Sequence, residues 1–448
     1  MTAMTALLPA AALLAAATVL PPHPAPDADG GTDAPTAPYV VTLKDTTSRA
    51  PTRALAAEAA RSGDQVGAVY DAVIDGFAVR TTAARAARLA ADPRVASVEP
   101  DAPFRISGAP PAPQPPAGRP TPADPTPDPA TPTPADPTPT PTPTPTTPTT
   151  PTPTTPTPAP SGAEIQRHAP WPLDRIDQRE LPLDGSYTYA GEKGQGVTVY
   201  VLDTGINTLH REFGGRARNG YNGMPREDAQ DCNGHGTHVA ATVGGATYGV
   251  AKGVSLVGVK VADCRGNGRL SVILRGLDWM LKDHLGNPGR GPAVANMSMG
   301  GTRSRSMETA VARAVAAGIT FAVAAGNEAR DACAGSPAAA PQALTVGATD
   351  RADRRPDFSN HGRCVDISAP GLSVTSAWKG SPTALARSSG TSMAAPHVAG
   401  AAALILADGT AKTPEEVGRV LVRDAVRDTI TNLPAGTVNL LLHIPAED

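Results

Sequence analysis

Between residues 109 and 160 the chain is built almost wholly from Pro, Thr, Ala and Asp, with a Thr-Pro repeat along much of its length. Each proline fixes φ and has no N–H to donate, and the tract offers hardly any apolar side chain to bury. It can therefore join neither a core nor the middle of a helix or sheet. The composition predicts a stiff polyproline II spacer reaching on the order of 150 Å, and its threonine density suits O-glycosylation. The folded matter of this 448-residue chain must then lie in two separate stretches, one on each side of residues 108–163.

Ahead of the tract, residues 1–20 are mostly Ala, Leu and Val without a charged side chain, and the sequence then turns abruptly to Pro, His and Asp. That is the apolar stretch of a signal peptide, expected to occupy residues 1–30 and too short and Ala-rich for a membrane span. Residues 39–44 (YVVTLK) alternate like a strand, and 54–61 is helical in composition. Two apolar runs within 68–80 break at Asp75-Gly76, 83–91 reads as a second helix and 95–98 as a last strand. The order β-α-β-β-α-β predicts a small ferredoxin-like α+β domain over residues 38–107.

Beyond the tract the texture changes. Short, nearly continuous apolar runs at 197–202, 256–261, 293–299, 319–324 and 343–346 suit strands covered on both faces, and helical stretches at 238–244, 270–281 and 307–317 lie between them. This predicts an α/β domain over residues 164–448 with a doubly wound parallel sheet, whose functional groups should gather at the carboxyl ends of the strands.

Those ends carry the chemistry. Asp203 leaves the first run in VLDTGI, His235 sits in NGHGTHVAA, Asn327 ends ITFAVAAGN, and Ser392 lies between a glycine and an Ala-rich helix in SSGTSMAAPHVAG. Taken singly, each has a plain structural reading: a turn aspartate, a core histidine, a strand-end amide, a helix cap. Together they supply an unreactive hydroxyl, a base near neutrality, a carboxylate to orient the base and a donor for an oxyanion. His238, three residues after His235, does not make a metal pair, because that pattern needs i, i+4 spacing and a Glu.

VLDTGI, NGHGTHVA, AAGN and GTSMAAPHVAG, in this order, resemble the four signatures of the subtilases. DRIDQR, TLHREFGGRAR, YGVAK, ANMSMGG and GTVNLL resemble the proteinase K subfamily, aqualysin type. The resemblance implies a subtilisin-like serine endopeptidase with Ser392 as nucleophile, His235 as general base and acid, Asp203 as orienting carboxylate and Asn327 in the oxyanion hole. It also implies a peptide groove between Arg265, Gly266, Asn267 and Ser298, Met299, Gly300, with Ala324, Ala325 and Gly326 walling a roomy, uncharged pocket. An apolar or aromatic preference before the cut follows.

The same resemblance pairs Cys232 with Cys264 and Cys333 with Cys364, where parity alone gives two disulfides in any of three connectivities. It implies about two structural Ca2+ sites, one from Asp174, Asp177, Gln178, Asp184 and Ser186, the other from Asp366 with the carbonyls of Pro341 and Ala343. Residues 38–107 resemble the subtilase inhibitor propeptide, which implies a secreted, self-processing zymogen whose first cut falls near Phe104 to Ser107. A formal net charge of −3 offers no basic field for nucleic acid, no second apolar run reaches membrane length, and a monomer is expected. A peptide-binding pseudoenzyme would need a broken catalytic set, and an adhesin on a Thr-Pro stalk would need an anchor. The sequence shows neither.

Overall fold

A computed structural model describes residues 34–44, 50–106, 163–191 and 193–445. The expected signal segment, nearly all of the Pro/Thr tract and Ser107 lie outside the described residues.

The N-terminal unit is a four-stranded antiparallel sheet in the order Gln65–Tyr70, Gly76–Thr82, Thr36–Leu43, Val95–Pro100. Helices Ala50–Arg61 and Ala83–Ala91 accompany it. The break at Asp75-Gly76 has a steric cause: a Cβ on Gly76 would stand 2.3 Å from the Val41 carbonyl oxygen, so only glycine lets the two strands approach. Thr82 ends its strand and caps the second helix, accepting the Arg85 N–H. Val41, Leu43, Leu55, Phe77 and Val79 form the core.

The C-terminal unit holds, among the described residues, a nine-stranded sheet. In spatial order its main strands are Ile367–Pro370, Leu344–Thr349, Ile319–Ala324, Ala293–Met297, Thr198–Asp203, Ser255–Lys260 and Ala217–Asn222, all parallel. Thr198–Asp203 is the first of these in the chain, yet it lies in the middle. The next two strands are laid on one side of it and the later ones on the other, so Asp203 emerges at a topological switch point, where a crevice opens.

Over that crevice lie two buried helices in mutual contact, His235–Gly244 and Thr391–Ala407. Thr391–Ala407 is apolar nearly all round and packs across five of the parallel strands, which a central helix needs. Of the boundaries that differ from the sequence pattern, two bear on the site. The run 293–299 is not one strand: the parallel ladder stops at Met297, and Met299–Thr302 joins a different sheet. The first crevice helix starts at His235 rather than His238, because side chains earlier in the chain receive its first N–H groups: Asn233 that of His235, Thr204 that of Gly236 and Asp231 that of Thr237.

Candidate active site

His235 is brought to Asp203 by two glycines. Gly234 stands at φ 108° against the Trp378 ring, and a Cβ on Gly236 would lie 2.2 Å from the Gly205 carbonyl oxygen and 3.2 Å from the Asp203 side chain. With glycine in both places the helix start presses onto the Asp203 turn, and His235 Nδ1 meets Asp203 Oδ1 at 2.8 Å and Oδ2 at 2.9 Å. Asp203 is fully buried, with Oδ1 also accepting the Thr204 N–H. This contact holds the proton on Nδ1 and leaves Nε2 as the basic nitrogen. Nε2 is itself buried with no hydrogen-bond partner.

Ser392 sits in the first turn of its helix, fully buried. Four residues on, Pro396 has no N–H to give to the Ser392 carbonyl, so the usual helical bond is missing there. The Ser298 hydroxyl takes the vacant place, donating to Ser392 O at 2.9 Å, while Asn296 Nδ2 donates to Ser298 Oγ at 2.9 Å. In return the Ser392 hydroxyl donates to the Ser298 carbonyl, also at 2.9 Å. This exchange explains why the Ala293–Met297 strand stops before Ser298. It also means that the Ser392 hydroxyl is turned to Ser298 and not to His235 in this structure.

Asn327 completes the set. Its amide oxygen accepts the Thr391 N–H at 2.9 Å and the Thr391 hydroxyl at 3.1 Å, which turns the NH2 group away from Thr391. Asn327 Nδ2 is buried without a partner. A buried donor left unmade costs roughly 1–3 kcal/mol, and this one, beside a helix start, is free to receive an anion.

Two supporting residues were not singled out from the sequence. The Asp231 carboxylate accepts the Asn233 and Gly234 N–H groups and the Thr204 hydroxyl on Oδ1, and the Thr237 N–H and hydroxyl on Oδ2, at 2.6–2.9 Å. It thereby joins the turn after Asp203 to the helix of His235 and serves as that helix's missing cap, since Gly234 has no side chain. The Asp-Cys-Asn-Gly turn was the available signal. Lys260, fully buried, donates to Thr204 O at 2.8 Å and pairs with Glu227 at 3.2 Å. Two flanking histidines, His238 and His397, give ring nitrogens to the carbonyls of Val374 and Met393, and burial pushes them down to about 3 and about 4.

The groove is filled by the chain itself. Pro103–Ile106 lies as a strand between Asn267–Arg269 and Met299–Thr302, antiparallel to both. Phe104 faces Gly268 and Gly301 in register and is wholly buried. Arg105 faces Asn267 and Gly300, Ile106 faces Met299, and the Ile106 N–H donates to Gly266 O at 3.1 Å. The pairing thus runs to Gly268, Arg269 and Gly301, beyond the residues that the motifs marked. Arg265 stays exposed on the turn before the first groove strand. Ala324 and Ala325 are buried just ahead of Gly326 and Asn327, where the Ile319–Ala324 strand ends.

Disulfides join Cys232 to Cys264 and Cys333 to Cys364. The first ties the Asp231 turn to the start of the groove strand. Around 174–188, Asp174 accepts the Asp184 and Gly185 N–H groups, Asp177 the Thr188 N–H, and Asp184 the N–H and hydroxyl of Ser186. Gln178 Oε1 also reaches the Asp184 N–H. Burial, with Asp184 and Asp174 nearby, pushes the Asp177 carboxyl up to about 8. Asp366, which accepts the Thr345 N–H close after Pro341 and Ala343, is pushed up to about 6 by burial. Among the described residues the one trio of acid, thiol or imidazole atoms within 4.8 Å of each other is Glu227, Cys232 and Cys264, whose sulfurs are spent in the disulfide.

Comparison with known proteins gives the same direction. The profile of the subtilase family matches residues 194–441, and that of peptidase inhibitor I9 matches 38–107. An extracellular serine proteinase of Thermus sp. (strain Rt41A) is 54% identical over 63% of this chain and 67% of its own length. Alkaline serine exoprotease A of Vibrio alginolyticus is 49% identical over 62% of this chain, which spans about half (51%) of that relative. A crystal structure of a cold-adapted subtilisin-like serine proteinase superposes with a TM-score of 0.58 at 47% identity, covering 63% of this chain and 99% of that one.

Proposed function

Since the chain belongs to the subtilase family of serine proteases, we propose that it is a secreted endopeptidase, made as an inactive precursor, in which Asp203, His235, Ser392 and Asn327 carry out the reaction. The observations that support this most directly are the contact of His235 Nδ1 with the buried Asp203 carboxylate and the seating of the Thr391 N–H, at the start of the helix that carries Ser392, on the Asn327 amide oxygen.

In the reaction the Ser392 hydroxyl swings from the Ser298 carbonyl to His235 Nε2, gives up its proton there and attacks the peptide carbonyl. Asp203 keeps the imidazole in its tautomer and stabilises the imidazolium. The oxyanion is received by Asn327 Nδ2 and the Ser392 N–H, one of the orphan donors of the helix start. His235 then passes the proton to the leaving amine, an acyl-enzyme remains on Ser392, and water repeats the sequence in reverse to free the acid. Small, uncharged walls at Ala324, Ala325 and Gly326 suit apolar and aromatic residues before the cut.

Residues 38–107 act as the inhibitor propeptide, holding Pro103–Ile106 in the groove until self-cleavage near Phe104 to Ser107. Residues 1–30 are the export signal, 108–163 the spacer and 164–448 the catalytic domain, working as a monomer on protein substrates. The extracellular character of the Thermus relative supports secretion, as does the lack of any helix among the described residues long and apolar enough to cross a membrane. Calcium fits the Asp174, Asp177, Gln178, Asp184 and Ser186 loop, where an all-oxygen set surrounds a carboxyl that burial makes reluctant to ionise. A hard dication would favour its charged form. The Asp174, Asp177 and Asp184 carboxylates do not all lie within 4.8 Å of one another, and Gln178 Oε1 and the Ser186 hydroxyl are the further oxygens of that loop. Asp366 with the Pro341 and Ala343 carbonyls would hold a second ion. Both ions would brace loops and take no part in the reaction.

Ser392→Ala tests the reading. The exported protein should keep residues 38–107 joined to the rest, giving a precursor on intact-mass measurement; spontaneous maturation of this variant would exclude Ser392 as nucleophile.

A further inference from the structure

Upstream of the groove strand, two acidic side chains of the inhibitor domain enter the starts of two catalytic-domain helices. Asp101, itself buried, accepts the Ser271 N–H and hydroxyl at 2.8 Å each and Arg269 Nε at 3.0 Å. This is the first turn of helix Leu270–Leu285, which has no side-chain cap and no acid in its own first turn. Glu99 accepts the Ser304 hydroxyl at 2.6 Å, the Ser306 N–H at 3.1 Å and the Ser306 hydroxyl at 3.2 Å, at the start of helix Arg305–Ala316. Helix Leu270–Leu285 thus receives from outside an anion that its own first turn does not supply, and Glu99 adds one to a helix start that already has the Ser304 cap and Glu308 in its first turn.

The main chain joins these pockets to the groove. Arg269 Nη2 donates to the Asp101 carbonyl and the Leu270 N–H to the Ala102 carbonyl, just ahead of the Pro103–Ile106 strand. Such backbone bonds serve any extended peptide, whatever its side chains. These bonds reach Asp101 and Ala102, and a substrate strand that follows the path of residues 99–102 further upstream meets both helix starts once the inhibitor domain has gone.

We propose that the two helix starts form acid-reading subsites of the mature enzyme, which favour protein substrates with acidic residues three and five positions ahead of the residue that takes the Phe104 place. This rests on the protease reading and on loss of the inhibitor domain. The Asp101 carboxylate meets a helix start and the Arg269 guanidinium, and the Glu99 carboxylate a helix start and two serine hydroxyls, so the effect is one of binding strength, and it is screened by salt.

The test uses processed enzyme and two internally quenched peptides of residues 97–110, one natural and one with Glu99→Gln and Asp101→Asn. The natural peptide should show kcat/KM about tenfold higher at low salt, through KM and not kcat, with the ratio falling toward one at 1 M salt. In a Ser271→Ala, Ser306→Ala enzyme the ratio should shrink to about threefold. Being measured within one preparation, that ratio is insensitive to the active fraction. If both peptides are cut with equal kcat/KM, or if the ratio ignores salt and both serines, the proposal is overturned while the protease reading stands. If neither is cut, the protease reading fails and takes the subsites with it.

Discussion

Asp231 is the residue whose loss should separate catalysis from binding most cleanly. In Asp231→Asn one oxygen remains for two groups of donors. If it stays with Thr204, Asn233 and Gly234, the new NH2 group faces the Thr237 N–H, which is then a buried donor without an acceptor in the first turn of the His235 helix. Such an orphan costs roughly 1–3 kcal/mol, and the lost negative charge at a helix start adds about 1, so a loss near 3 kcal/mol is expected. At about 2–4 °C per kcal/mol, the unfolding midpoint should fall by roughly 6–12 °C.

The same change frees the join between the Asp203 turn and the His235 helix. A displacement of about 1 Å in a catalytic group costs on the order of a hundredfold, so kcat should drop between about tenfold and a hundredfold. KM for a short peptide should stay within about threefold, since Asp231 touches neither groove strand. The assay is steady-state hydrolysis at least 20 °C below the variant's midpoint, on enzyme titrated for active sites, with calorimetry alongside. A lowered midpoint with kcat within twofold of the parent would show that Asp231 supports the fold without positioning His235. No change in either would refute the reasoning altogether.

Two further expectations concern the surroundings. His238 and His397 are held neutral by burial, with pKa values of about 3 and about 4 against an ordinary 6.5, so below pH 6.5 the unfolded chain takes up protons that the folded one refuses. Stability should therefore fall as pH drops from 6.5 toward 4, by up to roughly 1.4 kcal/mol per unit for each ring; urea midpoints that stay level across this range would contradict it. Chelation of calcium should lower the thermal midpoint by several degrees through loss of ligand linkage, and an unchanged melting curve would remove both assigned sites.

Much of this molecule is legible in one dimension because the chemistry sits where local rules put it. Strand exits and helix starts are set by short runs, so VLD, AAGN and GTSM announce Asp203, Asn327 and Ser392 from neighbours alone. The glycines around His235 signal a close approach, though not what is approached. The break at Asp75-Gly76 likewise marks two strands of the inhibitor domain without naming Val41 as the obstacle. Cysteine parity gives two bridges; which sulfurs meet depends on the turn before His235 lying beside the turn after Lys260, where their strands are neighbours in the sheet.

What only the tertiary structure decided are relations between segments far apart in the chain. The Ser298 hydroxyl answers a carbonyl freed by Pro396, and so ends a strand that the apolar pattern would carry on to residue 299. Asp231 serves the Asp203 turn and the His235 helix at once, and its Asp-Cys-Asn-Gly turn signals a cap without naming Thr204 as the second partner. The groove's pairing, from Gly268 to Gly301 around Phe104, follows from where the inhibitor strand comes to rest. The physical reason is common to all three: a side chain's type and local backbone are written in its immediate neighbours, whereas its hydrogen-bond partner is whatever the packed sheet and helices bring within 3 Å.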